Sequence, residues 1–302
     1  MRSRAGAHPL LLLAAILSLS TLTACDTVSR DPGAVQRDAV RQGTVAGRGE
    51  VADDAAAAGA ATETAPERSV VAKAYAYAEV DDELVYGHFV FPANRVDPLP
   101  GIIVIHEWWG LNDEVRAMAD RIAAEGYVVL AVDLFGGRST LSPGEARAMM
   151  IRVAENPQRA NENIRQAYQF LLDSAHAPRI GALGWDFGGD WSLNTAMLFP
   201  DDLDAAVIFY GQVTSDEARL APLNVPLLGL FGEDDRGIPV ETVHAFEQAL
   251  DNLGKNIEIE IYPNAAHAFA NPAATNYNAR AAEQAWTHAF EFMDRHLSIT
   301  VE

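Results

Sequence analysis

The chain has 302 residues, 22 Lys and Arg against 42 Asp and Glu, a formal charge of −20, 49% hydrophobic residues and one cysteine. That charge excludes a general nucleic-acid binder, which needs a basic footprint for phosphate, and electrostatic docking on anionic lipid. One cysteine excludes an internal disulfide and a cysteine-rich zinc site, while the length is ample for a buried core.

Arg2 and Arg4 form a basic start, and Leu10 to Leu22 is a mostly apolar run too short to span a membrane and suited to a secretory signal. Leu22-Thr23-Ala24-Cys25 resembles the end of a bacterial lipoprotein signal, which implies cleavage after residue 24 and a lipid on Cys25. Residues 26 to about 72 contain no Phe, Trp, Tyr, Ile or Leu and include the low-complexity run Ala55 to Ala61. Such a segment buries too little apolar area to offset its ordering entropy. The expected layout is therefore a signal over 1–24, lipidated Cys25 and a flexible tether over 25–72, and a folded domain over 73–302. It places the protein in the bacterial cell envelope, facing the periplasm and touching the membrane through its lipid alone.

Within the domain, Ala74 to Val80 and Glu83 to Phe91 are predicted strands joined by Asp81-Asp82. Gly101 to His106 is a short apolar run of the kind found in central parallel strands. Asp113 to Glu125 carries Val115, Met118, Ala119, Ile122 and Ala123 at helical spacing, closed by Gly126. A strand is expected over Tyr127 to Leu134, then a helix opening at Ser142-Pro143 with Ser142 as cap, and another over Ala160 to Ser174. Arg179 to Gly184, Ala205 to Tyr210, Pro226 to Phe231 and Asn256 to Tyr262 read as strands. Helices follow from about Phe187, over Pro239 to Asn252 and over Ala279 to His296. The alternation predicts an α/β domain with a mainly parallel central sheet and helices on both faces, whose ligand site lies off the carboxyl ends of the strands.

Three of those strand ends carry chemistry. Gly184-Trp185-Asp186-Phe187-Gly188-Gly189 has the pattern of a nucleophile elbow between strand and helix, with Asp186 in the central position and the Phe187 N–H as oxyanion donor. Asp235, in the loop Gly232 to Pro239, is the candidate acid, with Asp234 as the alternative. His267 follows the last strand in a small-residue loop, and among eight histidines it alone combines a strand end with an upstream acid. His88, His244, His288 and His296 fit solvated or capping roles, and His106 a local hydrogen-bond partner of the Glu107 turn. Trp108, Trp109, Trp185 and Trp191 divide between core packing and an aromatic pocket wall, and Tyr210 between the cleft and ordinary burial. No metal-ligand spacing and no glycine-rich phosphate loop is present.

These segments, together with Ile105-His106-Glu107-Trp108-Trp109-Gly110-Leu111-Asn112 and His267-Ala268-Phe269, resemble the dienelactone hydrolase family over most of 73–300. The resemblance implies an α/β-hydrolase fold, no cofactor, a small-molecule substrate and hydrolysis of a lactone or ester through a nucleophile-acid-histidine triad. It puts Asp186 in the nucleophile slot, Asp235 as acid, His267 as base, Glu107 beside the nucleophile and Arg138 near an arginine that binds the substrate carboxylate. Two departures stand out: the family nucleophile is cysteine, and a second substrate-binding arginine has Asn271 as its nearest counterpart.

An aspartate suits displacement at a saturated carbon better than attack on an ester carbonyl, where the product is a reactive anhydride. Three readings follow from the residues: a hydrolase of a small lactone or ester, a displacement hydrolase of the dehalogenase or epoxide hydrolase kind, and a ligand-binding lipoprotein on a weakened enzyme scaffold. If Glu107 lies near Asp186, like charge and burial predict that one of the two holds a proton near neutrality.

Overall fold

A computed structural model describes residues 69–96 and 98–299. These belong to the unit that runs from Thr62 to Glu302. The signal, Cys25 and all of the expected tether up to residue 68 lie outside the described residues.

Eight strands form one sheet: β1 (Val70–Val80), β2 (Glu83–Pro92), β3 (Gly101–Ile105), β4 (Val128–Val132), β5 (Ile180–Trp185), β6 (Ala205–Phe209), β7 (Leu227–Gly232) and β8 (Ile257–Tyr262). Their spatial order is β1-β2-β4-β3-β5-β6-β7-β8. The hairpin β1–β2 and the pair β2–β4 are antiparallel, and every pair from β4 through β3 to β8 is parallel. The expected mainly parallel sheet is thus present. β3, β4 and β6 are buried at every position, which is why they read as unbroken apolar runs. β8, at the edge, alternates half-buried isoleucines with Glu258 and Glu260.

The helices are α1 (Asp113–Ala124), α2 (Pro143–Glu155), α3 (Pro157–Asp173), α4 (Phe187–Leu198), the short α5 (Glu217–Leu220), α6 (Val240–Asn252) and α7 (Ala279–Leu297). α1 buries the five residues its spacing singled out. α4 packs on β3, β5 and β6, and α7 on β5, β6 and β7. There Trp286 of α7 meets the fully buried Trp185 at 5.8 Å between ring centroids.

Several details correct the sequence reading. β1 begins at Val70, inside the stretch expected to be tether, because β2 is long enough to pair Val70 with Pro92 and Val71 with Phe91. α3 starts at Pro157, with Asn156 Oδ1 accepting from the Arg159 N–H. Ser142 stands before α2, but its side chain makes no capping bond. Thr140 Oγ1 closes that turn instead, accepting from the Ser142 N–H and donating to Glu145 Oε2 at 2.6 Å. His88 is buried, not solvated, with Nε2 2.7 Å from Asp120 Oδ1.

Candidate active site

The carboxyl ends of β3, β5, β7 and β8 bring Glu107, Asp186, Asp235 and His267 into one place. Asp186 follows β5 directly and adopts φ 53°, ψ −117°. This left-handed conformation costs an L-residue on the order of 1–3 kcal/mol. It is held by the Asp186 N–H donating to Phe209 O and by Asp186 O accepting from the Gly189 N–H (2.9 Å). The turn is possible because backbone lies against backbone: a methyl on Gly184 would strike the Gly188 carbonyl, and one on Gly188 the Ile105 carbonyl. The side chain is thereby lifted to the mouth of the site at the N-terminus of α4, as a nucleophile elbow requires.

His267 joins the two aspartates. Its Nδ1 lies 2.8 Å from Asp235 Oδ2 and its Nε2 3.1 Å from Asp186 Oδ1. Asp235 is buried, and its Oδ1 accepts the N–H groups of Gly237 (2.8 Å) and Ile238 (3.0 Å). Burial alone would raise the Asp235 pKa, but the bond and charge of His267 and these two N–H groups hold it below the usual carboxylate value. Burial works against a charged His267, yet hydrogen bonds and charge from Asp186 and Asp235 outweigh it and push its pKa up to about 10. At neutral pH the ring is an imidazolium between two carboxylates. Asp234, the alternative acid, is exposed and its N–H bonds Ala265 O.

Glu107 is buried, and both of its oxygens are engaged: Asn271 Nδ2 donates to Oε2 at 2.7 Å and the Tyr210 hydroxyl to Oε1 at 3.3 Å. Burial first, and the negative charge of Asp186 second, push its pKa up to about 7 against those two donors. His106, fully buried, fixes the turn that carries it: Nε2 accepts the Leu134 N–H at 3.1 Å, so Nδ1 holds the proton and donates to Glu107 O at 2.7 Å.

The Trp108 N–H points at Asp186 Oδ2, 3.4 Å away. The N–H of Phe187, at the first position of α4, has no acceptor within its own helix. Both amides flank the elbow and are candidate oxyanion donors. The Trp108 ring packs at a 53° tilt against Trp109, 4.5 Å between centroids, and it is the Trp108 backbone that meets Asp186. Tyr210 does not line the cleft: it is fully buried, holds Glu107, and presents its ring edge-on to His267 at 5.4 Å. Arg138 is exposed after β4 and lines a cavity of about 350 Å³ with Phe135, Arg152 and Arg159, among others. The residues lining it include neither Asp186 nor His267. His267 and Asp235 instead border a cleft of about 1000 Å³ whose wall carries Glu233, Asp234, Arg236 and Glu241, and Asp186 is not among its lining residues.

Asn271 is the site residue whose role the sequence did not reveal. An asparagine beyond a histidine loop gives no sign that it will reach a glutamate 164 positions away. Among the described residues no cluster of three or more His, Cys, Asp or Glu side chains is placed to hold a metal.

A nucleophile elbow, an acid and a histidine on a mainly parallel sheet define an α/β-hydrolase. The profile of the dienelactone hydrolase family matches residues 86–297, and the chain belongs to that family. It is 30% identical over 245 residues to a Saccharolobus solfataricus protein described as "Putative carboxymethylenebutenolidase", covering 68% of this chain and 93% of that one. It is equally 30% identical over 208 residues to protein usf of Aquifex pyrophilus, covering 66% and 89%. Among solved structures, a dienelactone hydrolase-like promiscuous phosphotriesterase from metagenomic libraries superposes with a TM-score of 0.69 at 22% identity. That superposition covers 76% of this chain and 99% of the other, and shows shared fold. The protein is a dienelactone hydrolase-like hydrolase acting on a small molecule.

Proposed function

We propose that the protein hydrolyses a small lactone or ester in two steps, with Asp186 as covalent nucleophile, Asp235 as orienting acid and His267 as proton carrier. The observation that carries this reading is the single imidazole bonded at once to Asp235 and to the elbow carboxylate. A free Asp186 carboxylate needs no base to make it nucleophilic. Once it is esterified its negative charge is gone, and His267 loses one of the two partners that keep it protonated. The ring then releases its proton and becomes the base that activates water for the second step. The Trp108 and Phe187 amides hold the oxyanion. The test is acid release from short aliphatic lactones and alkyl esters, followed by pH-stat. Turnover is expected with the native protein, with Asp186→Ala and His267→Ala each losing about 10²–10⁴-fold. Equal rates in all three would overturn the reading.

The protein further reads as an envelope lipoprotein, processed at Cys25 and facing the periplasm. Arg2, Arg4, the Leu10–Leu22 run and Leu22-Thr23-Ala24-Cys25 support this. Membrane fractionation of native and Cys25→Ala protein tests it: only the native protein is expected to take up labelled fatty acid and sediment with membranes.

A further inference from the structure

We infer that this site opens its substrate at a saturated carbon, cleaving the alkyl–oxygen bond of a lactone or ester whose ring or ester oxygen sits on an sp³ carbon. The inference rests on Asp186 being the nucleophile proposed above and adds which bond it breaks. The argument comes from where the oxyanion donor points. An oxyanion hole acts where its donors meet the oxygen on which charge develops. Here the Trp108 N–H meets Oδ2 of Asp186 itself. For attack on a substrate carbonyl, the Trp108 and Phe187 amides would both have to receive the substrate's oxygen, and Asp186 Oδ2, 3.4 Å from the Trp108 N–H, occupies that donor's direction and leaves Phe187 alone. The tetrahedral centre this hole serves is therefore Cγ of Asp186, formed when water attacks an ester already made on that side chain. Oδ1, on the His267 side, is left to attack the substrate.

The sequence of bonds is complete without any co-reactant other than water. Asp186 Oδ1 forms a bond to the sp³ carbon of a lactone, and the carbon–oxygen ring bond breaks with its electron pair on the departing carboxylate, which requires no acid. His267 then gives its proton to solvent. It next takes one from water as that water's oxygen bonds to Asp186 Cγ, with negative charge on Oδ2 facing Trp108. Collapse breaks the bond between Cγ and the former Oδ1, and the alkoxide takes the proton from His267. The new Asp186 carboxyl passes its own proton back to the ring. The net change is lactone plus water to hydroxycarboxylate plus one proton. The preferred substrate class is a strained, saturated lactone or an alkyl ester of a good carboxylate leaving group. Aryl and enol esters, which offer no sp³ carbon at that oxygen, are excluded.

The test is hydrolysis of enantiopure β-butyrolactone by the full-length protein in heavy-oxygen water, with the enzyme-free rate subtracted. The inference predicts a hydroxy acid of inverted configuration, with solvent label accumulating in its hydroxyl and none entering its carboxyl group. Retained configuration with label in the carboxyl group would overturn it while leaving Asp186-dependent hydrolysis standing. No turnover above the enzyme-free rate would overturn the hydrolase reading and the inference together. Asp186→Cys supplies the control: a thiol attacking the carbonyl gives retention and carboxyl label.

Discussion

Asn271 and Glu107 meet at 2.7 Å, with Asn271 Nδ2 donating to Glu107 Oε2. The contact keeps a buried carboxyl in one orientation beside Asp186. Burial and Asp186 raise the Glu107 pKa to about 7 from an ordinary 4.5, so the folded chain binds this proton more tightly than the unfolded chain. The corresponding stability is fully present below pH 4.5 and is lost as pH rises through 7. Glu107→Gln removes that loss. It is expected to raise the melting temperature at pH 8 by about 2–4 °C for each kcal/mol recovered in a domain of this size, and to change it little at pH 4. Asn271→Ala strips a donor from a buried carboxylate and is expected to cost about 1–3 kcal/mol, more at pH 8 than at pH 5. Thermal unfolding at the two pH values checks both.

His267 has the opposite chemistry and the same sign. Its pKa is raised from 6.5 to about 10 by two carboxylates acting against burial. Its stabilisation is therefore complete below pH 6.5 and disappears as pH climbs through 10. Denaturant titrations of native protein are expected to show stability falling steadily across that window, and those of His267→Ala to lack this component.

Much of this was legible in the sequence, and the exceptions have physical causes. Buried parallel strands announce themselves as apolar runs, and Asp186 and Asp235 each follow one, while His267 follows the alternating edge strand β8, so each of the three stands at a strand end that the sequence already marks. The start of β1 was missed because an edge strand with exposed Val71, Lys73 and Tyr75 has no core-facing pattern to show. The partners of Glu107 were missed because side chains far apart in sequence meet only once the sheet has ordered them. Tyr210, with φ 38° beyond β6, turns inward to Glu107, and no local pattern encodes that turn. Arg138 was assigned by resemblance, and in the fold it borders a different cavity.

Gly110 shapes the turn that carries the Trp108 N–H, the proposed oxyanion donor. It has φ 89°, and a Cβ there would run into the carbonyl of Arg138. Its N–H bonds Glu107 O at 3.1 Å, closing the turn that aims Trp108. Gly110→Ala is expected to shift this turn and lower kcat by about 10²–10³, with a smaller effect on KM. Steady-state kinetics beside a melting curve separates this from simple unfolding.

The cleft beside His267 is walled by Glu233, Asp234 and Glu241 against the cation Arg236, and the chain carries a net charge of −20. A negative field repels anionic substrates and is screened by salt. Neutral lactones are expected to show higher kcat/KM than carboxylated analogues of the same ring size, with the gap narrowing as ionic strength rises.

The central claim is that Asp186 carries the substrate covalently and that water then attacks its own side chain. A single turnover in heavy-oxygen water, followed by proteolysis and mass spectrometry, reads this directly. The account predicts one solvent oxygen in the side chain of Asp186 and none elsewhere in the protein. Product formation with Asp186 left unlabelled would contradict it.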